Sequence, residues 1–454
     1  MKVASPLDNS ERVLLVGVAL KRPSRAGVLS SGAAGRESLV ELEELVRSAG
    51  AKVVGSRLQM RDTLDSATLI GSGMLVELKL EAERLDVGLI ILDRNLSPVQ
   101  HRNIERGTDC RVIDRTQLIL DIFARHAHSR EGQLQVELAQ LNYLLPRLAG
   151  SKRELSRLGG GIGTRGPGEQ KLETDRRRIR ERVGKIERAI ETVRRQRALR
   201  RRARQAVPLG TVALVGYTNA GKSTLFNALT HAEVLVSSKM FATLDPTIRS
   251  VRLPSRRRVL LSDTVGFIRD LPADLIAAFR ATLEEVQESA LIVQVTDISN
   301  PSHAEQDAEV EKVLEYLGVT NRPRLRVFNK VDLLAPEDLD ALQKSHGGGL
   351  LHGSEVVNHY PGVFVSAHTG QGLDELRRRI DEAMPVDPLV ARRLNVPLAN
   401  GRELAMIYAC GRVLRSEVQD GHICLDAELP ESLAARLENF DEHSETAGQH
   451  LSVK

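Results

Sequence analysis

The chain has 454 residues, a length that corresponds to about three domains. Apolar residues make up 41% and charged residues 27%, which excludes wholesale disorder and allows several hydrophobic cores. The formal net charge is only +4, so binding to nucleic acid requires that positive charge be clustered. Aromatic residues amount to 3% and tryptophan is absent, which disfavours single-strand binding by base stacking.

The three cysteines, Cys110, Cys410 and Cys424, are too few for a disulfide framework, and none belongs to a CxxC pair. We predict that they are reduced thiols in a cytosolic protein. The apolar run near the start, residues 13–20, is too short to span a bilayer and lacks a cleavage site. The sequence therefore predicts a cytoplasmic protein without a membrane span.

Residues 1–128 alternate short apolar runs with amphipathic stretches. The apolar runs are residues 13–20, 53–54, 89–92 and 112–113, and the stretches between them include residues 37–49 and 74–85. This alternation predicts a small N-terminal α/β domain with a parallel sheet. We interpret the glycine pair Gly71 and Gly73 as a turn and not as a phosphate loop.

Residues 129–207 are predicted to form an antiparallel helical hairpin. Two apolar stripes have the 4,3,4,3 spacing of a coiled coil: Leu134, Leu138, Leu141, Leu145 and Leu148, then Ile179, Val183, Ile186, Ile190 and Val193. Between them, residues 159–168 contain six glycines and one proline, which cannot continue a helix. We expect a flexible glycine-rich loop at the tip, and a kink at Pro146 in the first helix.

The second helix of this hairpin concentrates the positive charge. Residues 176–204 contain 14 lysines and arginines against three glutamates, a local charge of +11, so the rest of the chain carries about −7. Like charges on one helix repel each other unless they meet a partner. The excess favours a polyanionic surface as the partner over a merely solvated face.

Residues 208–386 again alternate strand-like runs with helices, which predicts a second α/β domain. The runs are residues 211–215, 259–261, 291–295, 325–328 and 363–365. We interpret residues 347–361 as an insertion. Residues 387–454 are predicted to form a small α+β domain, in which residues 412–419 and 422–429 flank the hairpin turn Asp420-Gly421 and Pro430 opens a short helix.

A phosphate-binding loop follows the first strand of this second α/β domain and opens a helix, as the motif requires. Its backbone N–H groups would wrap phosphates, Lys222 would neutralise the β and γ oxygens, and the Ser223 hydroxyl would ligate Mg²⁺. The predicted nucleotide-contacting residues are Gly216, Tyr217, Thr218, Asn219, Ala220, Gly221, Lys222, Ser223 and Thr224.

Three further motifs follow strands in the order of a GTPase. The first, Asp263, Thr264, Val265 and Gly266, places an acid near Mg²⁺ and a glycine near the γ-phosphate. The second consists of Asn329, Lys330, Val331 and Asp332. Its final carboxylate can accept hydrogen bonds from two donors of guanine, a donor pair that adenine lacks. The third offers a backbone N–H to guanine O6 and consists of Ser366, Ala367 and His368. Together they predict GTP as the cofactor, with Mg²⁺.

A threonine between the phosphate loop and Asp263 must also contact Mg²⁺ and the γ-phosphate, and spacing leaves both Thr243 and Thr247 as candidates. The residue after Gly266 is Phe267, where many GTPases have a glutamine that orients the attacking water. We therefore expect slow intrinsic hydrolysis that a bound partner accelerates. Asn219 resembles the asparagine of potassium-activated GTPases, which makes K⁺ a further candidate cofactor.

At this point the sequence resembles the HflX family of translational GTPases, within the Obg–HflX superfamily. Residues 216–223, 241–245, 263–267 and, most diagnostically, 159–178 carry the resemblance, which extends over nearly all of residues 12–386. It implies that Thr243 is the Mg²⁺-contacting switch residue and that a hydrophobic residue at 267 is the norm of the family. The switch segment then adds Phe241, Ala242, Thr243, Leu244 and Asp245 to the nucleotide site.

The resemblance also implies the partner and the reaction. The family binds the large (50S) ribosomal subunit and splits stalled or idle ribosomes, which assigns rRNA contacts to the basic helix 176–204 and the loop 159–168. Lys222, Thr243 and Gly266 are then the catalytic residues, and Ser223 and Thr243 the metal ligands. We expect a monomer.

Two alternatives remain at this stage. The same motifs permit a GTPase that helps to assemble the large subunit or to modify RNA, although no methyl-donor, folate or cysteine-nucleophile site is visible. A non-enzymatic RNA-binding coiled coil with a vestigial nucleotide domain is disfavoured, because Lys222, Ser223, Asp263 and Asp332 are intact.

Overall fold

The computed structural model describes residues 11–21, 31–148, 167–205, 210–230, 241, 247–269, 280–347, 359–384, 387–419 and 421–441. Several expectations lie outside these residues. They are the switch residues Ala242, Thr243, Leu244 and Asp245, most of the insertion 347–361, and the tip loop as far as residue 166. Within the described part of the chain, no helix combines the length and apolarity needed to cross a bilayer.

The N-terminal unit is the predicted parallel sheet, with strand order β2-β1-β3-β4. Apolar side chains cover both faces of β1, as a sheet sandwiched between helices requires. The predicted strand at residues 53–54 continues to Arg61, because this edge strand is half-exposed and its polar residues mask the pattern. The elements are β1 (Arg12–Leu20), α1 (Ser31–Ser48), β2 (Lys52–Arg61), α2 (Ser72–Leu85), β3 (Leu89–Leu92), α3 (Pro98–Thr108), β4 (Arg111–Asp114) and α4 (Arg115–His126).

The predicted hairpin is formed by α5 (Arg130–Leu148) and α6 (Pro167–Gln205). Its seam is a small apolar cluster made of Leu141, Ile186 and Ile190 with Leu134, Leu138, Ile179 and Val183 packed against them. The expected loop 159–168 is two residues too long, because α6 begins at Pro167. A proline fits the first helical turn, where no N–H is needed, so Gly168 already lies in the helix.

The next unit is a six-stranded sheet in the order β10-β9-β8-β5-β7-β6. All pairs are parallel except the edge strand β6, which runs antiparallel to β7. Strand β6 was not predicted from the sequence. It is a half-exposed edge strand, so its residues are partly polar and form no continuous apolar run. The elements are β5 (Thr211–Gly216), α7 (Lys222–Thr230), β6 (Thr247–Arg252), β7 (Arg258–Asp263), α8 (Arg280–Gln287), β8 (Leu291–Asp297), α9 (His303–Tyr316), β9 (Arg324–Asn329), α10 (Pro336–Gly347), β10 (His359–Phe364) and α11 (Leu373–Ala383).

The last unit is a three-stranded antiparallel sheet in the order β11-β13-β12, covered by two short helices. The predicted hairpin is confirmed: Gln419 pairs with His422, and Gly421 adopts the positive φ (+80°) that the turn requires. Pro430 precedes the predicted short helix. The elements are β11 (Leu389–Pro397), α12 (Gly401–Cys410), β12 (Arg412–Gln419), β13 (His422–Pro430) and α13 (Glu431–Arg436).

Candidate nucleotide-binding site

The phosphate loop lies at the carboxyl edge of the six-stranded sheet, between β5 and α7, where ligands bind in open α/β folds. Two of its glycines are required by close packing. A Cβ on Gly216 (φ +153°) would lie 2.2 Å from the carbonyl oxygen of Val295, and one on Gly221 (φ +92°) 2.2 Å from Asn329 Nδ2. The loop can therefore bring its backbone N–H groups together only with glycine at both positions.

Lys222 lies beneath this loop with 6% of its surface exposed. Its Nζ donates to the carbonyl oxygens of Gly216 (3.1 Å) and Tyr217 (2.7 Å), so the cation is held against the loop. Burial lowers the pKa of Lys222 to about 8, although the charge of Asp263 acts in the opposite direction. This is the expected position for a cation that meets phosphate oxygens.

Ser223 and Asp263 come together from α7 and the end of β7. The Ser223 hydroxyl donates to Asp263 Oδ2 over 2.7 Å, and Asp263 is fully buried. Two oxygen atoms this close, one of them from a carboxylate, match the hard ligands that Mg²⁺ prefers. The residues present therefore fit the metal that the sequence predicted.

The segment after Asp263 pairs directly with the phosphate loop. Phe267 N donates to the Gly216 oxygen (3.1 Å), and Thr218 N donates to the Phe267 oxygen (2.7 Å). A Cβ on Gly266 would lie 2.8 Å from Thr218 Cα and 3.0 Å from Lys222 Nζ, so only glycine permits this approach. The Phe267 side chain is fully buried and cannot hold a water molecule by a hydrogen bond.

The predicted guanine-recognition residues form one connected corner. Asn329 donates from Nδ2 to the Ala220 oxygen (2.9 Å) and accepts at Oδ1 from Ala367 N (3.0 Å), which ties this motif to both the phosphate loop and the last loop. The Lys330 ammonium pairs with Asp297 at 2.6 Å. Asp332 is exposed, with its carboxylate open to solvent, as is His368.

Contacts in the structure thus connect the phosphate loop with Asp263, Gly266, Asn329 and Ala367. Phe241, which was also predicted to contact the nucleotide, is instead buried against the ring of Phe123. Of the two candidate threonines, Thr243 lies outside the described residues. Thr247 begins β6 and pairs in register with Asp263, so it lies at the edge of the same site. The choice between the two stays a prediction.

One wall of the site was not predicted, because it comes from the N-terminal sheet domain. The Tyr217 hydroxyl donates to Glu41 Oε1 (2.5 Å) and accepts from the backbone N–H of Arg269 (2.7 Å). Glu41 in turn forms an ion pair with Arg115 (2.7 Å), whose other guanidinium nitrogen donates to Asp93 (2.7 Å). Burial and the charge of Glu41 raise the pKa of Tyr217, which keeps the phenol protonated.

Apolar packing closes the same wall. The rings of Phe123 (α4) and Phe241 meet edge to face with centroids 4.5 Å apart, and Phe267 belongs to the same core.

The helix α1 adds two more carboxylates to this side. Burial raises the pKa of Glu37 and Glu44, while the nearby charges of Arg269 and Lys330 respectively act against that shift.

The chain is similar to proteins named GTPase HflX along most of its length. It is 45% identical over 406 residues to that of Caldanaerobacter subterraneus subsp. tengcongensis, with 89% of this chain and 90% of the relative covered. Identity is 42% over 436 residues for the protein of Lacrimispora saccharolytica, covering 96% and 97%, and 40% over 395 residues for that of Escherichia coli K12, covering 87% and 90%. The chain belongs to the HflX family of GTPases.

Three family models divide the HflX chain in agreement with the fold. Residues 36–124 match the N-terminal region of GTP-binding GTPases, residues 126–204 match their middle region, and residues 211–330 match a domain described as a 50S ribosome-binding GTPase. Among solved structures, a GTP-binding protein from Sulfolobus solfataricus in complex with GDP is 24% identical, with a TM-score of 0.42, and covers 82% of this chain and 98% of its own. The match of residues 211–330 and the HflX relatives together identify the enzyme as a P-loop GTP hydrolase.

Proposed function

We propose that this HflX family GTPase binds the large ribosomal subunit and splits or rescues stalled or idle ribosomes. Ribosome binding stimulates GTP hydrolysis, and hydrolysis resets and releases the factor. The observation that carries the proposal is the presence, in one chain, of a connected guanine-nucleotide site and a helix with a local charge of +11. The match of residues 211–330 to a 50S ribosome-binding GTPase supports the same partner.

The catalytic roles go to Lys222, Thr243 and Gly266. Lys222 meets the β and γ oxygens, and the Gly266 backbone N–H meets the γ-phosphate, a role supported by the position of Gly266 beside Lys222 Nζ. Ser223 and Thr243 would hold Mg²⁺, which when bound neutralises phosphate charge. Asn219, exposed on the loop with φ +61°, is the residue that would contact K⁺.

The slow intrinsic rate follows from Phe267. Its buried side chain leaves no polar group at the position that orients water in many GTPases, so the ribosome has to rearrange the segment after Gly266. That segment is held by backbone hydrogen bonds to the phosphate loop and by Tyr217. A partner that displaces it changes the geometry around Lys222 at the same time.

The hairpin makes the rRNA contact through helix 176–204 and the loop 159–168. The two helices of the hairpin are joined by the apolar seam and by a two-pronged ion pair between Arg182 and Glu137 (2.7 and 2.8 Å). Shape and backbone recognition of folded RNA needs cations and not aromatic platforms.

We assign residues 1–128, 129–207, 208–386 and 387–454 to four domains of a cytoplasmic monomer.

Two variants test the assignment. Lys222→Ala should lose GTP binding in equilibrium titration, and unchanged affinity would refute its role.

Deleting residues 159–166 spares Pro167 at the start of α6 and should leave GTP affinity unchanged while abolishing ribosome splitting, measured by sedimentation of 70S particles. A variant in which a glycine-serine linker of equal length replaces these residues serves as the control for loop length, and normal splitting by the deletion variant would refute the role of the tip.

A further inference from the structure

An arginine-lined cleft of about 940 Å³ lies between the GTPase sheet and the C-terminal sheet. Gly210 precedes β5, Arg258 begins β7 and Ala290 precedes β8, so the cleft lies at the amino ends of these parallel strands. The nucleotide site lies at their carboxyl ends. The cleft is therefore a separate feature that nucleotide binding does not explain.

Five arginines and two carboxylates line this cleft: Arg252, Arg256, Arg257, Arg258 and Arg412, with Asp387 and Glu428. The carboxylates are already engaged. Glu428 lies 3.6 Å from Arg412, and Asp387 accepts from the backbone and hydroxyl of Ser432. Arg252, Arg256 and Arg258 are exposed, and among the described residues no acidic oxygen lies within 4.0 Å of their guanidinium groups.

The fold holds this positive charge in place. The turn between β6 and β7 is closed by hydrogen bonds from Leu253 N to the Arg257 oxygen (2.9 Å) and from Arg256 N to the Leu253 oxygen (2.8 Å). Asp381 on α11 accepts from both the backbone and the hydroxyl of Ser255 (2.7 Å each) and pairs with Arg257. Like-charged side chains are thus kept together on a turn that is fastened to the domain.

The chemistry of the cleft fits a phosphate backbone. Guanidinium groups match the geometry of phosphate oxygens, and five of them line the cleft. The end of the basic helix is also close. Only residues 206–209 separate Gln205 from Gly210 in the cleft wall, so the two lie within roughly 18 Å.

We propose that the arginine-lined cleft binds the sugar-phosphate backbone of RNA and extends the contact that begins on helix 176–204. This inference rests on the proposed function, because it names a second RNA contact of the same factor. It assigns a binding role to a cleft at the opposite end of the sheet strands from the nucleotide site.

The test compares two triple variants of the full chain. Arg252→Ala, Arg256→Ala and Arg258→Ala remove the unpaired charges of the cleft. Arg12→Ala, Arg84→Ala and Arg402→Ala remove three arginines elsewhere that are also exposed, of which Arg84 lies 3.8 Å from Glu81. Binding to purified large ribosomal subunits and to protein-free large-subunit rRNA is measured between 50 and 200 mM salt, and circular dichroism checks that both variants fold.

We expect the cleft variant to bind both probes about tenfold more weakly, with a salt slope reduced by about 2 to 3, while the control behaves as wild type. Wild-type affinity and salt slope of the cleft variant for both probes would overturn the proposal. If the wild-type protein failed to bind large subunits, the proposed function would fall, and the protein-free rRNA would still test the cleft.

Discussion

The GTPase domain meets its two flanking sheet domains in opposite ways. On the N-terminal side the joint is closed: the Tyr217 hydroxyl donates to Glu41, which also pairs with the 3% exposed Arg115, and the rings of Phe123 and Phe241 meet across it. On the C-terminal side the joint is an open cleft with exposed arginines. A closed joint can transmit a change of conformation, whereas an open joint offers a surface to a ligand.

The closed joint reaches the chemistry through Tyr217. Its hydroxyl bridges Glu41 of the N-terminal domain and the backbone of Arg269, which follows Gly266 and Phe267. A displacement that moves the Arg269 backbone therefore breaks a hydrogen bond within the joint. The open joint has no comparable connection to the nucleotide among the described residues.

Removal of Arg115 should have the largest effect. Arg115→Met leaves Glu41 and Asp93 buried without their counter-ion, so we expect the free energy of unfolding to fall by about 3–5 kcal/mol. Urea denaturation measures the free energy of unfolding. The matched control, Arg258→Met in the open joint, should change stability by less than about 0.5 kcal/mol, and equal losses would contradict the distinction between the joints.

Tyr217→Phe removes only a hydroxyl group. It leaves Glu41 Oε1 and the Arg269 N–H without this partner in a buried place, which should cost about 1–3 kcal/mol of stability. Tyr408→Phe is the control, because that hydroxyl makes an exposed contact of 3.4 Å with Ser416. If both variants unfold at the wild-type urea concentration, Tyr217 does not connect the domains.

The burial of Lys222 predicts a pH dependence of nucleotide binding. Its pKa is lowered to about 8 in the free protein, and bound phosphates favour the charged form, so GDP affinity is full below pH 8 and is lost as the pH rises through it. Between pH 7 and 9 the affinity should fall about tenfold by calorimetry. Guanosine, which has the same base without phosphate, should lose much less, and an equal loss would contradict the role of Lys222.

The smallest effect is expected for Arg256→Ala. Its side chain is exposed and has no ion pair among the described residues, so the free energy of unfolding should stay within about 0.5 kcal/mol of wild type. Thermal denaturation measures it. A loss above about 1 kcal/mol would mean that the arginine cluster stabilises the joint and is not an open surface.

The features that could be predicted from the sequence are those that depend on residues close together along the chain. The phosphate loop, the Asp420-Gly421 turn and the apolar stripes of the hairpin each follow from local spacing, and the structure confirms the sheets and helices that they imply. The Tyr217–Glu41 contact joins residues 176 positions apart, so no local pattern could reveal it. Strand β6 was missed for a related reason. Its strand conformation depends on pairing with β7, which the residues of β6 alone do not indicate.

The central claim is that the ribosome completes a site that Phe267 leaves incomplete. Steady-state GTP turnover with and without purified large ribosomal subunits tests it most directly, with small subunits and the Lys222→Ala variant as controls. We expect a slow intrinsic rate that rises by at least about tenfold with large subunits only. An unchanged slow rate would contradict the account and would require another activator and another polyanionic partner for helix 176–204.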